Sequence, residues 1–561
     1  MNRPWRVKMQ DPEQVSQLAR SHNLDELLVK CILNREVLKF QEMDYFLAPA
    51  RYQPPDPFLM PDMKIAADRV LDAIQKGERI CIYGDYDADG VTAIAILTQA
   101  IRELGGNVFY FIPDRFFEGV GLHAASLKQL QEEEEVGLVI TVDTGIRAFE
   151  EIDFAKEIKL DVIITDHHPP GGGRPNAFAV VNPKMEGSRY PFDGLCGAGV
   201  AFKLVQALGQ VSSRPLNLNK YMQIAAIGTI ADMVPLREEN RWIVAQGLKA
   251  ISQDESGPIR SLLRKLGIRG AANALDISFK VAPRINAPGR LGDPDTAISF
   301  FDCTLQSDTY RIIETMEGMN TLRQKLEREL EEKLELQLRH AFRQKIPPFV
   351  MVAGRHWHRG ILGILACKML RRFSRPACVL SFDAENAHGS IRGLPGLNLL
   401  EALQEISPLL SSFGGHPEAA GISLPITNVP QFKLRMTEIL GPRVSKNHQE
   451  VPFEVDAVIR WRDLNSNLCE KLWQLAPFGI GNSVPVFLSP NLILESELSR
   501  KGPWYHFEVS DGCVSRKCSF YHPIDLDPGF ERFDSVDLIY SLTPFRDNYQ
   551  VQIVEMRPSK G

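Results

Sequence analysis

Residues 80–93 read ICIYGDYDADGVTA, an apolar run followed by three aspartates and a glycine. The apolar run Ile80–Tyr83 predicts a buried parallel strand. Asp85, Asp87 and Asp89 then stand at every second position, and a helical pattern follows them. The aspartates therefore lie where a strand gives way to a helix, at the carboxyl edge of a sheet, where open α/β folds keep their sites.

Three carboxylates this close together repel one another unless a cation holds them. Their spacing therefore favours a divalent metal site. The alternative is a polar loop whose acids cap the next helix, which we predict over Val91–Leu104.

Composition indicates a large globular protein. The 561 residues predict three or four domains, and 44% of them are hydrophobic and 24% charged. A net charge of -6 does not indicate a nucleic-acid binder, so any such contact must come from local basic patches. Nine cysteines without disulfide spacing fit a reducing cytoplasm. No signal core and no run long enough to span a bilayer is found, so we expect a cytoplasmic protein without a membrane partner.

Strands and helices alternate over residues 76–240, which predicts a parallel, doubly wound α/β sheet. The strand-like runs are Ile80–Tyr83, Val108–Ile112, Gly137–Val142, Asp161–Thr165 and Ala179–Val181.

Polar residues follow these strands. Asp143 ends one strand, Asp166, His167 and His168 end another, and Asp232 lies on a later helix. Parallel strands deliver their carboxyl ends to one edge, so we expect this set to meet Asp85 and Asp87 there. Mixed carboxylate and imidazole ligands suit two Mn²⁺ or Mg²⁺ ions about 3.5–4 Å apart, which activate water for in-line displacement at phosphorus.

The motifs GDYDADG, VDTG, TDHH and GTIADMVPL resemble, in this order, those of the DHH phosphoesterase superfamily. Seven further segments resemble the bacterial RecJ single-strand-specific exonucleases. They are IPDRFFEGVGLH (Ile112–His123), LCGAGVAFKL (Leu195–Leu204), RINAPGRLG (Arg284–Gly292), HWHRGILGI (His356–Ile364), GSIRG (Gly389–Gly393), FGGHPEAAG (Phe413–Gly421) and PFGIGNSVPVF (Pro477–Phe487).

The resemblance implies a role for each site residue. It implies 5′-to-3′ release of mononucleotides from single-stranded DNA, in recombination and repair. The implied metal ligands are Asp85, Asp87, Asp143, His167 and Asp232. His168 is implied near the scissile phosphate, either as an electrostatic group beside the metals or as an acid, and it is counted as catalytic together with Asp87 and Asp143. Asp89 and Asp166 are implied to orient the ligands or the helix start. The sequence departs from the family pattern at Thr144, Val120 and Pro288, and none of these departures removes a ligand.

The remaining chain divides by composition and resemblance. We expect an N-terminal helical segment (1–75), a DHH catalytic domain (76–304), a connecting helix (305–345), a DHHA1 α/β domain (346–445) and an OB-fold-like β-barrel (451–561). The connecting helix carries many opposite charges three or four residues apart, and at about 1.5 Å per residue it would span roughly 50 Å. A coiled coil is the competing interpretation of that pattern.

In the DHHA1 region, we expect Ser390 and Arg392 in a glycine-bounded turn and His416 in a glycine loop. Ordinary turn chemistry is the alternative for each loop alone. The resemblance assigns Arg115, Arg290, Ser390 and Arg392 to the terminal 5′-phosphate and His416 to the nucleotide near the metals. Guanidinium groups suit a phosphate dianion because they bind it bidentately.

Six short strand-like runs after residue 451 predict the barrel, and such barrels bind single strands by base stacking. The candidates for contact with DNA are Trp504, Tyr505, Phe507, Phe545 and Arg546. Single-stranded DNA is the expected partner. A single-strand-binding protein and a helicase are implied by resemblance only, and a monomer is the default. Two other functions stay open: a DHH phosphodiesterase of short oligonucleotides or cyclic dinucleotides, and a non-catalytic replication scaffold.

Overall fold

The computed structural model describes residues 4–37, 40–116, 118–119, 121–341, 346–447, 452–521, 529–545 and 548–559. Val120 and Arg546, both singled out in the sequence, lie outside these ranges. Within them, no helix combines the length and the apolar content needed to cross a bilayer.

The first part of the chain packs against the last. It contains β1 (Trp5–Val7), α1 (Pro12–His22), α2 (Glu26–Leu33), α3 (Phe40–Leu47) and 3₁₀ turns at Pro49–Arg51 and Pro57–Leu59. Strand β1 pairs in parallel with Phe453–Val455. Val15, Ile32 and Phe46 belong to the same apolar core as Trp461 of the C-terminal barrel.

The first α/β region, which we call the catalytic region after the predicted DHH catalytic domain, is built on a five-stranded, fully parallel sheet with strand order β3-β2-β4-β5-β6. Its elements are α4 (Met63–Lys76), β2 (Arg79–Gly84), α5 (Ala88–Glu103), β3 (Asn107–Phe111), α6 (Ala124–Glu132), β4 (Val136–Val142), α7 (Phe149–Glu157), β5 (Asp161–Thr165), β6 (Ala179–Val181), α8 (Gly197–Val211), α9 (Leu218–Ala231), α10 (Glu238–Gln253), α11 (Pro258–Lys265), α12 (Ala274–Asp276), a π-helical turn (Ile277–Val281), α13 (Ala282–Leu291) and α14 (Asp295–Asp302). The predicted parallel sheet is confirmed.

The helix after β2 begins at Ala88, three residues before the position that apolar spacing predicts. Asp87 is the reason, because its Oδ1 accepts the N–H groups of Asp89 (2.9 Å) and Gly90 (3.1 Å) and so caps the helix. A Cβ on Gly90 would lie 2.5 Å from the carbonyl oxygen of Asp85. Gly90, the last residue of GDYDADG, therefore allows the first turn of α5 to pack closely against the residue that follows β2.

Helix α15 (Gln306–Ala341) runs from the catalytic region to the second α/β region. That region contains β7 (Val350–Arg355), α16 (Arg359–Phe373), β8 (Ala377–Phe382), β9 (Asn386–Arg392), α17 (Leu399–Glu405), a 3₁₀ turn (Ser407–Leu409), β10 (Ser412–His416), β11 (Ala419–Pro425), a second 3₁₀ turn (Ile426–Asn428) and α18 (Val429–Asn447). Its mixed sheet has the order β10-β11-β9-β8-β7.

The expected glycine turns around Ser390 and His416 are wrong. Ser390 and Arg392 lie on β9, and His416 ends β10. Two of the glycines serve packing between strands: a Cβ on Gly389 would lie 2.3 Å from Leu380 Cδ2, and one on Gly415 would lie 2.3 Å from the carbonyl oxygen of Ala419. Glycine in a strand here marks close approach and not a turn.

The C-terminal region is a β-barrel, as predicted. It contains β12 (Phe453–Val455), β13 (Ala457–Val458), a 3₁₀ turn (Trp461–Asp463), α19 (Ser466–Trp473), β14 (Phe487–Leu494), β15 (Ser499–Lys501), β16 (Trp504–Ser510), β17 (Ser515–Tyr521), β18 (Ser535–Phe545) and β19 (Asn548–Pro558). The sheet order is β13-β14-β18-β19-β17-β16-β15, and pairing of β14 with β16 closes it. The three-residue β15 was not predicted from the sequence.

Candidate active site

The carboxyl ends of three neighbouring strands form the floor of the candidate site. Strands β2, β4 and β5 lie side by side, and Asp85, Asp143 and Asp166 directly follow them. Asp232 reaches the same edge from the C-terminal end of α9, which it caps. The expected meeting of residues from distant parts of the chain is therefore seen in the fold.

His167 lies at the centre of this cluster. Its Nε2 is 3.0 Å from Asp143 Oδ1, 3.8 Å from Asp89 Oδ2 and 3.8 Å from Asp232 Oδ2. Asp143 Oδ1 and both ring nitrogens of His167 are buried, and despite the 3.0 Å approach of Nε2 to Oδ1 none of them makes a hydrogen bond of acceptable geometry to any residue in the described ranges. Buried polar atoms that lie close together without hydrogen bonds are typical of a set of metal ligands.

Two overlapping sets of side chains could each hold a metal ion. Asp143, His167 and His168 form one set, and Asp89, His167 and Asp232 form the other; the ligand atoms within each set lie within 4.8 Å of one another. Asp85 and Asp87 lie beside them, close enough for their charges to raise the pKa of Asp143. Carboxylates with imidazole are a donor set that fits Mn²⁺ or Mg²⁺.

Burial and mutual repulsion dominate the electrostatics of the cluster. Burial, and then the charges of Asp89 and Asp87, raise the pKa of Asp143 well above its ordinary value and that of Asp232 to about 9. Burial and the charge of Asp87 raise the pKa of Asp85 to about 7. Burial lowers the pKa of His167 to about 3, which leaves a neutral imidazole able to ligate. A divalent cation would relieve this repulsion.

The Asp89 carboxylate of the cluster is bound by the amino end of a neighbouring helix, α8. Its two carboxylate oxygens accept the N–H groups of Gly197 (2.6 Å) and Ala198 (2.9 Å) at the start of α8, and its side chain is 1% exposed. A helix N-terminus stabilises an anion, so α8 fixes the position of this carboxylate.

Asp166 orients both histidines. Its Oδ1 accepts the N–H of His167 (2.7 Å), the N–H of His168 (3.0 Å) and the Nδ1–H of His168 (2.7 Å), while Oδ2 accepts the N–H of Ile146 (3.0 Å). Burial opposes its charge, but the hydrogen bond and the charge of His168 outweigh burial and lower the pKa of Asp166 to about 2. In return, Asp166 raises the pKa of His168 against the effect of burial. Because Nδ1 of His168 contacts Asp166, Nε2 is the ring nitrogen that remains available to other partners.

The second α/β region closes over the site at His168. The ring of His416 stacks on that of His168, with centroids 5.1 Å apart and planes 22° apart. Arg147 bridges the two regions, because it donates to the carbonyl oxygens of Pro169 (3.1 Å) and Gly415 (3.5 Å).

The predicted phosphate-binding residues gather around the start of α16. Arg290 Nη1 donates to the carbonyl oxygen of Gly360 at 3.4 Å, and a Cβ on Gly363 would lie 2.8 Å from Arg392 Nη2 and 3.3 Å from Ser390 Oγ. These residues therefore border the first two turns of one helix, whose amino end favours anions. Arg392 donates to Ser390 Oγ at 2.7 Å.

Arg115 approaches from the catalytic region. Its guanidinium lies 3.9 Å from the ring centroid of Tyr86. Its Nη1 is buried and has no hydrogen-bond partner within the described part of the chain. Burial lowers the pKa of Arg290, and the charge of Arg115 lowers it further, so the two guanidinium groups act on one another.

Sequence reasoning missed three residues of the site, although two lie inside quoted motifs. Tyr86 of GDYDADG supports Arg115. Asn286 of RINAPGRLG stands one helical turn before Arg290, and its Oδ1 accepts the N–H of Ala88 at 2.8 Å. Arg147 carries no local signal, because its partners come from distant loops. Pro288, a departure from the family pattern, is buried within α13.

Three family models match successive parts of the chain: the N-terminal domain of the DHH family over residues 79–229, the DHHA1 domain over 347–441 and the RecJ OB domain over 455–554. Among curated proteins, the single-stranded-DNA-specific exonuclease RecJ of Bacillus subtilis is 38% identical over 496 residues, which are 88% of this chain. The chain spans only 62% of that protein. The RecJ of Dickeya dadantii is 32% identical over 498 residues, 85% of each protein.

Solved structures agree in fold. RecJ from Thermus thermophilus in complex with Mn²⁺ is 27% identical, with a TM-score of 0.81, and the match covers 100% of this chain and 80% of that one. An exonuclease RecJ bound to manganese is 32% identical, with a TM-score of 0.62, over 70% of this chain and 98% of that one.

Proposed function

The chain belongs to the RecJ family of single-stranded-DNA-specific exonucleases, and from this we propose that it hydrolyses single-stranded DNA from the 5′ end and releases mononucleotides, in recombination and repair. The observation that carries this proposal is the buried cluster of unpaired ligand atoms around His167, in a chain that also has the DHHA1 and OB domains.

Asp85, Asp87, Asp143, His167 and Asp232 would hold two Mn²⁺ or Mg²⁺ ions, and the RecJ structures that contain manganese support the choice of metal. Such ions activate a water molecule and neutralise charge on the phosphate. Asp89 and Asp166 keep the ligands in place through the backbone contacts described above.

His168 belongs to one of the two sets that could hold a metal ion, but we assign it as a catalytic side chain and not as a ligand. Asp166 accepts the Nδ1–H of His168 and raises the pKa of this ring, which favours its doubly protonated form; the Nε2–H of that form could donate towards the scissile phosphate. His416, stacked on this ring, would limit its motion and contact the same nucleotide.

The direction of digestion would be set by a pocket for the terminal 5′-phosphate. Arg115, Arg290, Ser390 and Arg392 surround the amino end of α16, where backbone N–H groups and guanidinium groups favour a dianion. The unpartnered Nη1 of Arg115 supports this assignment, because a buried donor is costly unless a ligand accepts from it.

The barrel would bind the strand that leads to the site by base stacking. We infer that the path to the metal site admits one strand and excludes a double helix about 20 Å wide, which would make the enzyme strand-selective by size. A single-strand-binding protein and a helicase would supply unwound DNA, and a monomer in the cytoplasm is the simplest working form.

The test is digestion of end-labelled single- and double-stranded DNA with Mn²⁺, Mg²⁺ or a chelator, by wild type and Asp143→Asn. We expect mononucleotide release from single strands only, its loss in chelator, and its loss in Asp143→Asn while DNA binding persists. Asp153→Asn, an exposed acid on α7, is the matched control and should keep full activity. Persistent cleavage by Asp143→Asn would refute the metal assignment, and preferred cleavage of dinucleotides would point to a short-oligonucleotide phosphodiesterase.

A further inference from the structure

The motif PFGIGNSVPVF has no place in the site described above, yet its first half lies against the residues that follow Asp232. The N–H of Leu236 donates to the carbonyl oxygen of Ile480 at 2.8 Å. A Cβ on Gly479 would lie 2.7 Å from Leu236 Cδ1, and one on Gly481 would lie 3.1 Å from Pro235 Cβ. We call residues 475–482 the docking loop of the barrel.

Arg241 of α10 ties this docking loop to the catalytic region. Its side chain is 2% exposed, and its five hydrogen bonds within the described ranges all go to backbone carbonyl oxygens. Three of these acceptors, Leu475 (2.9 Å), Ala476 (2.8 Å) and Pro477 (3.2 Å), belong to the docking loop. Burying a guanidinium costs free energy unless its N–H groups are hydrogen-bonded. Displacement of the docking loop would remove three of these hydrogen bonds, so Arg241 stabilises the loop in its present position.

The docking loop is itself held rigid. Asn482 is fully buried, and its Nδ2 donates to the carbonyl oxygens of Leu475 and Pro477, both at 2.8 Å. Its Oδ1 accepts from Arg35 Nε at 2.8 Å.

Asp232 is separated from this contact by only a few residues. It caps α9, and α10 begins at Glu238. The connection is held from the other side by Asn240, whose Nδ2 donates to the carbonyl oxygen of Pro235 at 3.0 Å. The Asp232 side chain is 25% exposed, so core packing alone does not fix its orientation.

We propose that the docking loop, through Arg241 and Leu236, positions Asp232 for metal binding, so that the barrel domain contributes to metal affinity as well as to contact with DNA. This rests on the proposed function, because Asp232 is a metal ligand only there. Arg241 touches no reacting atom and acts as a positioning residue.

The test is calorimetric titration of the full chain with Mn²⁺, without DNA, for Arg241→Met and Gly479→Ala. The alanine adds one methyl group against Leu236 and keeps Arg241 intact. We expect Mn²⁺ affinity to fall about tenfold in both, the range seen when groups that orient metal ligands are removed. Saturating Mn²⁺ should restore hydrolysis. Arg516→Met is the matched control, because Arg516 also binds carbonyl oxygens, of Leu464 (2.7 Å) and Trp461 (3.4 Å), but inside the barrel. It should keep wild-type affinity.

Asp232→Asn separates the two levels of inference. Wild-type Mn²⁺ affinity in Asp232→Asn would overturn the metal assignment on which the positioning role depends. Weakened affinity in Asp232→Asn with unchanged affinity in Gly479→Ala and in a folded Arg241→Met would overturn the positioning role alone. If Arg241→Met does not fold, as judged by cooperative unfolding, Gly479→Ala decides.

Discussion

Replacement of Asp166 by asparagine tests how the two histidines are held. The carboxylate accepts four N–H groups, three on Oδ1 and one, from Ile146, on Oδ2. An amide has one acceptor oxygen. Whichever way it turns, its NH₂ group must face at least one of these donors, and the site loses the negative charge beside His168.

The size of the loss can be worked from the pKa of Asp166 and from the hydrogen bond that lowers it. Lowering the pKa of Asp166 from 3.8 to about 2 corresponds to roughly 2–3 kcal/mol of preference for the charged form in the folded state. Loss of a hydrogen bond to a charged group costs about 1.5–3 kcal/mol. Because the pKa is lowered on folding, this stability is present above pH 3.8 and is lost as pH falls through about 2. At pH 7.5 we therefore expect Asp166→Asn to lower the free energy of unfolding by about 2–3 kcal/mol.

The assay has two parts. Urea unfolding in chelator measures the free energy of unfolding, and the pH dependence of single-strand digestion reports on His168. Because Asp166 raises the pKa of His168, its removal should shift the alkaline limb of the pH–rate profile to lower pH. Asp153→Asn should change neither quantity. An Asp166→Asn enzyme with wild-type stability and an unshifted alkaline limb would refute this account of Asp166.

Three further outcomes are expected. Mn²⁺ affinity should rise between pH 6 and pH 8, because the pKa values of Asp85 and Asp232 are raised and their protons must leave before the metal binds. Calorimetry in buffers of different ionisation enthalpy should detect the release of these protons. A pH-independent Mn²⁺ affinity would contradict this prediction. Arg290→Ala should reduce the preference for 5′-phosphorylated over 5′-hydroxyl strands about tenfold or more, and equal wild-type rates on both ends would reject the pocket. In the barrel, Phe507 is 3% exposed, so Phe507→Ala should lower the free energy of unfolding by about 3–5 kcal/mol. Tyr521 is 49% exposed, so Tyr521→Ala should weaken single-strand binding in a filter assay and leave the free energy of unfolding unchanged.

The sequence predicted the sheet and the meeting of its strand ends because both follow from local patterns. Apolar runs fix the strands, and parallel strands bring Asp85, Asp143 and His167 to one edge whatever lies between them. Where local signals compete, the prediction failed. The glycines beside Ser390 and His416 indicated turns, but both residues lie in strands, where Gly389 and Gly415 allow close approach to the neighbouring strand.

Contacts between distant segments left no pattern to find. Nothing in the sequence indicates that Arg147 reaches the loop of His416, or that Arg241 binds a loop of the barrel more than two hundred residues away. The barrel aromatics illustrate the same limit. Tyr505 and Phe507 belong to its core, and the exposed Tyr521 was not among the candidates, because alternation along a strand does not tell which face is inside. The roles of individual site residues stay predictions.

Anomalous scattering from a crystal grown in Mn²⁺ would locate the ions of the proposed metal centre. We expect two peaks about 3.5–4 Å apart at the carboxyl edge of the parallel sheet, within ligand distance of Asp85, Asp87, Asp143, His167 and Asp232. Peaks elsewhere, or none at this edge, would contradict the assignment of this cluster as the hydrolytic metal centre.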